Sequence, residues 1–411
     1  MTGRLPIIDA DGHVFEPFDM WTERLPAEFH ERAWKRVRDD EGRERILFYG
    51  RATGLPYTVG TLCTPGGLAA GGRLDYDLDR EVDRGVDDPA RRVQLMDEQG
   101  IAVSVLFPTM TLGLDDIPDV DFRHAYARAY NSWIADFCRH DPVRLRWAAV
   151  VPLADPAWAL TELARAATDG ATTVMLSPIP TPGGQTLASP ELEGFWGALE
   201  ESGLPAVVHA SDPGSPALGL RRLWTSRAQW QMGVSFQLQL GVLYVLDGGV
   251  LERHPRLRIG FFEGDVGWLA HWIGRLEATY EKLALISPGP ERPVLQQFQE
   301  QCVISGEPAD RGLALTAELV GSDRVLWASD WPHLDGAWPD PIVILRDRED
   351  LDDEQKRDIF FRGSARFYGI DLGELDRGWD PAADVPAVGG LLRRPGSRPA
   401  GDGAAAAVPC P

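Results

Sequence analysis

The chain has 411 residues, 44% of them hydrophobic and 25% charged, with a formal net charge of -21. That length and composition suit a globular protein of one large domain or two ordinary ones. No Lys/Arg-rich run concentrates positive charge, which excludes an obvious nucleic-acid or anionic-membrane surface, and no apolar stretch approaches the ~20 residues of a membrane span. The start, "MTGRLPIIDADGH", lacks a long apolar core of the secretory kind. Cys63, Cys138, Cys302 and Cys410 are scattered with no CxxC pair. They read as neither a disulfide framework nor a zinc knuckle, so a reduced, cytoplasmic setting is expected.

In chain order, "LPIIDAD" opens as a strand, and residues 18–85, rich in Trp, Arg and Gly, fall outside any regular alternation. From about residue 86 the pattern alternates. "DDPARRVQLMDEQG" carries a helix start and a terminating Gly, and "IAVSVLFP" comes next as a strand. Further helix and strand pairs are "FRHAYARAYNSWIADFCRH" with "LRWAAVVPL", "PAWALTELARAATDG" with "ATTVMLSP", and "ELEGFWGALEESG" with "LPAVVHA". A helical region over roughly 226–248 precedes "LRIGFFEG"; "WLAHWIGRLEATYEKL" precedes "QCVIS"; and "RGLALTAELVG" precedes "RVLWASD". A last helix covers "DEQKRDIFFRGSARFYG". Eight strands alternating with helices imply parallel strands with crossover helices. The expected fold is a (β/α)8 TIM barrel over residues 1–380, with a doubly wound sheet as the alternative. "ADGHVFEP" is no Gly-rich phosphate loop of the kind that alternative usually carries. The 18–85 insertion falls after strand one, at the C-terminal mouth, as a lid, an inert cap or a dimer arm. Residues 386–411 have the composition of a disordered tail.

In such a barrel chemistry gathers where strands end and loops begin. Alternate residues of a strand share a side, so Asp9, Asp11 and His13 could all face one way from strand one. Strand five ends in His209, strand six in Glu263, and strand eight in Asp330, with His333 just beyond. Singly, His209 reads as a structural histidine, Asp330 as a helix cap and Glu263 as the partner of an Arg. Jointly they read as a carboxylate/imidazole site for a divalent metal. Asp11, His13, His209 and Asp330 are the expected ligands, with Asp9 and Glu16 as supports. His30, His124, His140, His254 and His271 read as surface or packing residues, with His124 also a pocket candidate. Trp268, Trp331 and Trp338 would supply aromatic walls for a planar substrate, and Arg123, Arg221 or Arg222 a grip on its carboxylate.

"IDADGHVFEP", "AVVHA", "FFEGDVGW" and "ASDWPHLDGAWP", with "RRVQLMDEQGIAVSVLFPT" and "YNSWIADFC", together resemble the amidohydrolase-related family. The branch most similar includes aminocarboxymuconate-semialdehyde decarboxylase and similar aromatic-acid decarboxylases. The resemblance spans residues 5 to about 370 and implies a TIM barrel holding one Zn²⁺ or Mn²⁺, commonly in a homodimer. The family's first motif usually reads His-x-His after an Asp; here Asp11 stands at the first His position, and Glu263 stands where members often carry a catalytic His. A more oxygen-rich shell fits Mn²⁺, or Zn²⁺ at lower affinity. The implied activity is nonoxidative decarboxylation of a small carboxylated aromatic or unsaturated molecule, with Asp330 as proton donor, Glu263 and His209 as further catalytic residues, and Trp268, Trp331, His333 and Arg123 at the substrate. Hydrolysis of an amide, ester or lactone through a metal-activated water is the alternative. A non-catalytic binding barrel is a third reading, motivated by the replacement of two family histidines.

Overall fold

The computed structural model describes residues 6–53, 57–67, 71–114, 117–211, 227–286 and 289–371, with the side chains of 227–230 left aside. The expected tail at 386–411, Cys410, and Arg221 and Arg222 lie outside the described residues. None of the described helices is long and apolar enough to cross a membrane.

Eleven strands are described: β1 (Ile7–His13), β2 (Lys35–Arg38), β3 (Glu44–Phe48), β4 (Arg51–Ala52), β5 (Ile101–Phe107), β6 (Leu145–Val150), β7 (Thr173–Leu176), β8 (Ala206–His209), β9 (Ile259–Phe262), β10 (Cys302–Gly306) and β11 (Val325–Trp327). Eight of them form one sheet in the order β1-β5-β6-β7-β8-β9-β10-β11, with every described pair parallel. These are the eight strands expected from the alternation. The sheet curls into a near-closed barrel whose seam lies between β11 and β1. Just past the end of β11, Asp330 N–H donates to Asp11 O at 3.1 Å and His13 N–H donates to Trp331 O at 2.7 Å. The seam is thus bridged at the mouth, beside the residues singled out for chemistry.

The helices start and stop where their termini predict. Asp88 caps the helix Pro89–Gln99 through its side chain, with Pro89 in the first turn, and Gly100 ends it at φ 77°. Asp155 caps Pro156–Thr168 in the same way. β7, β8 and β9 are buried on both faces, as parallel strands covered by helices must be. The last expected helix runs over Asp353–Tyr368 but contains a π-turn at Asp358–Arg362. The helix Val294–Gln301 ahead of β10 is an addition that the sequence pattern does not predict.

The 18–85 insertion holds the helix Phe18–Arg24 and a three-stranded antiparallel sheet, β2-β3-β4. Trp34 stacks on Phe48 at 4.3 Å, and Phe48 meets Phe122 and Tyr126 of the helix Val120–Cys138 at 6.3 and 6.1 Å. The sheet therefore packs on an outer helix. It reaches the mouth at its rim, where Trp34 Nε1 donates to Met110 O at 3.2 Å.

Candidate metal centre

β1 is irregular: Asp9 pairs with Ser104, but the next pairs are Gly12 with Leu106 and His13 with Phe107, so a bulge intervenes. The bulge breaks the strict alternation that would have turned Asp9, Asp11 and His13 one way. Asp9 turns into the seam instead. Its carboxylate accepts from Ser329 N–H at 2.9 Å, Ser329 Oγ at 2.8 Å and Ser104 Oγ at 3.0 Å. Arg92 lies beneath, donating to His13 O at 2.7 Å and resting 4.5 Å over the Trp331 ring. Gly12 is required here, because a Cβ would meet Asp9 Oδ2 at 2.5 Å, Ser104 Oγ at 2.7 Å and Arg92 Nη2 at 2.8 Å. Glu16, fully buried, accepts from the N–H groups of Thr109, Met110 and Thr111 and from Thr111 Oγ1. Both supports expected of Asp9 and Glu16 are thus visible as hydrogen bonds.

Above the seam, one oxygen of Asp11 and one nitrogen each of His13 and His209 lie within 4.8 Å of one another. His13 Nδ1 is 2.8 Å from Pro108 O and His209 Nδ1 is 2.7 Å from Ala210 O. A carbonyl only accepts, so each Nδ1 carries the proton and, in a neutral ring, each Nε2 is a bare lone pair. Burial and the neighbouring His333 and His209 hold His13 well below the ordinary histidine pKa, so its ring is neutral. Its Nε2 is fully buried without a hydrogen-bond partner, 3.5 Å from Asp11 Oδ1 and 3.4 Å from Asp330 Oδ1. His209 Nε2 faces Asp11 Oδ1 at 3.3 Å. Lone pairs facing carboxylate oxygens repel unless a cation stands among them. Asp11, His13 and His209 therefore fit a divalent metal, with Asp330 at the edge of the group.

Asp330 and Glu263 complete the mouth. Asp330 sits at φ 51° and Glu263 at φ 61°, left-handed conformations that cost about 1 kcal/mol each and concentrate at functional sites. Asp330 Oδ1 lies 2.7 Å from His333 Nδ1, whose Nε2 is 3.1 Å from Thr109 Oγ1. Burial pushes the Asp330 carboxyl up to about 6 against the opposing pull of His333. Burial pulls His333 down, but the attraction and hydrogen bond of Asp330, with Asp335 and Asp11 behind it, together raise it. Glu263 is pushed well up by burial and by Asp330 and Asp11, and its Oε2, buried and without a hydrogen-bond partner, approaches His209 Nδ1 at 3.3 Å. Neither acid matches its single-residue reading: Asp330 caps no helix, and no Arg neutralises Glu263 among the described residues.

A cleft of about 650 Å³, counting its open mouth, rises from Asp11, Glu263 and Asp330. Asp265, Glu307 and Asp335 line it further out, and Met232 and Val234 of the helix Arg227–Leu246 form an apolar side. Glu307 follows β10 directly, so reading the end of the seventh strand as well would have found it. Of the four expected substrate residues, His333 stands at the centre and three stand elsewhere. Trp268 Nε1 donates to Gly264 O at 2.8 Å and Asp265 O at 2.9 Å, fastening the Glu-Gly-Asp turn. Trp331 is buried against Arg92. Arg123 is buried on the helix Val120–Cys138, where its charge acts on Tyr49 of the insertion. Among the other histidines, His124 stacks on Trp158 at 4.2 Å and His254 contacts Glu193 at 2.9 Å, both away from the cleft.

The amidohydrolase family model matches residues 8–370. The chain belongs to the amidohydrolase family. It is a metalloenzyme of that superfamily, and the family expectation drawn from its motifs holds. It is 27% identical over 257 residues to the gamma-resorcylate decarboxylase of Rhizobium sp. (strain MTP-10005), covering 59% of this chain and 76% of that one. An amidohydrolase structure from Mycobacterium avium subsp. paratuberculosis K-10 superposes with a TM-score of 0.74 at 23% identity, over 91% of this chain and 100% of that one. The 5-carboxyvanillate decarboxylase of Novosphingobium aromaticivorans, with bound manganese and 3-methoxy-4-hydroxy-5-nitrobenzoic acid, gives 0.62 at 19% identity over 89% and 97%. Both superpositions carry the same barrel.

Proposed function

We propose that this protein is a divalent-metal-dependent, nonoxidative decarboxylase of a small aromatic or unsaturated carboxylate. The observation that carries the reading is the placement of Asp330, a buried acid at the edge of the metal group whose Oδ1 lies 2.7 Å from His333 Nδ1, close enough to share a proton. Decarboxylases among the relatives support the reaction class, and manganese with a nitrobenzoic acid in one related structure supports the metal and the ligand class.

Asp11, His13, His209 and Asp330 would hold the metal, which when bound supplies positive charge to grip the substrate carboxylate and a neighbouring oxygen. The Asp330–His333 pair stores the proton at Asp330 Oδ1 and His333 Nδ1, 2.7 Å apart. Asp330 delivers that proton to the carbon bearing the carboxylate, the new C–H bond forms, and the C–C bond then breaks. Its electron pair returns to the ring as CO₂ leaves, so no water or oxidant is consumed. Glu263 borders His209 at the strand-six side of the site, its carboxyl pushed up by burial and by Asp330 and Asp11. The second carboxylate fits Mn²⁺, the metal in one related structure, as well as Zn²⁺.

The test is turnover of 2,6-dihydroxybenzoate and related hydroxybenzoates by the manganese-loaded protein in D₂O. CO₂ release with one deuterium at the vacated ring carbon is the expected result. Water-consuming release of a new carboxylate from an amide, ester or lactone would put a hydrolase in its place.

A further inference from the structure

Among the described residues two arginines are buried, Arg92 and Arg123, each at 2% exposure. They are provided for differently. Arg92 donates to His13 O at 2.7 Å and to Ser104 Oγ at 3.3 Å, with the Asp9 carboxylate acting on it. Arg123 stands in the first turn of the helix Val120–Cys138. Its Nε and Nη1 are buried without a hydrogen-bond partner, and no described carboxylate pairs with it.

The orphaned groups continue along the same helix face. Tyr126 and Tyr130 have buried hydroxyls without partners, and Trp21, stacked on Tyr126 at 4.0 Å, has an unpartnered indole N–H. In the insertion, the Tyr49 hydroxyl is likewise buried and unpartnered. Tyr49 meets Phe122 edge-on at 5.2 Å and feels the charge of Arg123, and its backbone is left-handed at φ 55°.

What this junction lacks is an acceptor. An indole and a guanidinium only donate, and the groups facing the two hydroxyls, Trp34 at Tyr126 and Arg32 at Tyr49, are donors as well. Asp119 is the carboxylate that acts on Tyr49, and it is already engaged. It pairs with Arg32 and, as the cap of the helix, accepts from Phe122 N–H at 3.0 Å. Two guanidiniums beside one engaged carboxylate leave local positive charge, in a chain whose net charge is -21. A buried charge without a counterpart is costly, and an oxyanion brings both the acceptors and the charge that are missing.

We propose that the junction between the insertion and the helix Val120–Cys138 is an oxyanion site, with Arg123 as its charged anchor and the Tyr49 hydroxyl as a second donor. The ligand is a small carboxylate or an inorganic oxyanion. Its binding ties the insertion to the outer helix, and it depends neither on the metal centre nor on the decarboxylase reading.

The experiment is thermal unfolding and calorimetric titration of the full-length protein with sodium acetate and with sodium sulfate, against sodium chloride at equal ionic strength. Manganese-loaded and metal-free protein are compared, because an anion seated on the metal is lost with it. The expected result is a saturable rise in Tm that persists without metal, and the tighter of the two anions names the source. Arg123→Gln should weaken that binding by about tenfold or more, and Tyr49→Phe by about fivefold. No saturable rise with either anion in metal-free protein overturns the proposal. So does full affinity in both variants, and Tyr49→Phe alone decides if Arg123→Gln does not fold. Turnover plays no part in the readout, so loss of the decarboxylase reading would leave the site standing.

Discussion

Asp9 and Glu16 lie as deep in the barrel as Asp11, all three at 1% exposure or less, yet the two regions they belong to are built in opposite ways. At the seam, each carboxylate meets three or more donors from the protein itself, and Arg92 adds a buried countercharge. At the mouth, acids face imidazole lone pairs and one another. The seam is satisfied and serves rigidity. The mouth is left unsatisfied, and the strand ends beneath it hold repelling groups together for a cation and a ligand to complete. Burial without partners is costly, and at His13 and Glu263 it falls where the strand ends gather the candidate metal centre.

The contrast can be broken most sharply at the mouth. His209→Ala and Asp330→Ala should each abolish metal retention and lower turnover by roughly a thousandfold or more, with the fold intact. Elemental analysis, circular dichroism and steady-state rates check this; a fully active Asp330→Ala would remove that residue from the mechanism. At the seam the expected loss is stability. Asp9→Ala strips Ser329 and Ser104 of their acceptor and leaves Arg92 as an uncompensated buried charge, at a cost of about 3–5 kcal/mol in chemical denaturation. Adding manganese to metal-free protein at about 100 times its Kd should raise stability by about 2.7 kcal/mol, read as a rise in Tm and lost in His209→Ala. Gly12→Ala should cost about 1–3 kcal/mol by overpacking the same seam.

The smallest expected effect comes from Glu307, pushed up to about 8 by burial, Asp265, Asp330 and Asp335. Its folded pKa lies above the unfolded value, so the folded state binds the extra proton between the two. Stability attributable to Glu307 therefore falls as pH rises from about 4.5 to about 8 and is level beyond. In metal-free protein, Glu307→Gln should be nearly neutral at pH 4 and stabilising at pH 8.5, by on the order of 1–2 kcal/mol. Equal Tm shifts at both pH values would show that the mouth is not electrostatically stressed.

Much of this was readable one residue at a time. The period-two and helical patterns, the Asp88 and Asp155 caps and the Gly100 stop produced eight strands and their crossover helices, because local propensity and burial agree in an alternating β/α chain. Asp11, His13, His209 and Asp330 were readable because each ends a strand, and the barrel rule converts a strand end into a position at the mouth. The substrate assignments were less secure. Tryptophan and arginine are amphipathic, and their sequence neighbours do not say which face they turn to; Trp268 fastens a backbone turn, Trp331 covers Arg92, and Arg123 is buried on an outer helix.

The sequence by itself determined the fold, the order of the candidate ligands and the acidity of the mouth, since these follow from periodicity, strand ends and composition. Only the tertiary structure decided that a bulge in β1 separates Asp9 from Asp11, that Glu16 is filled by three backbone N–H groups, and that Asp265 and Glu307 meet no donor among the described residues. Those outcomes depend on donors more than 90 residues away from Glu16, and on whether any cation reaches the outer cleft. Pairing across such distances is set by packing, to which no local pattern is sensitive.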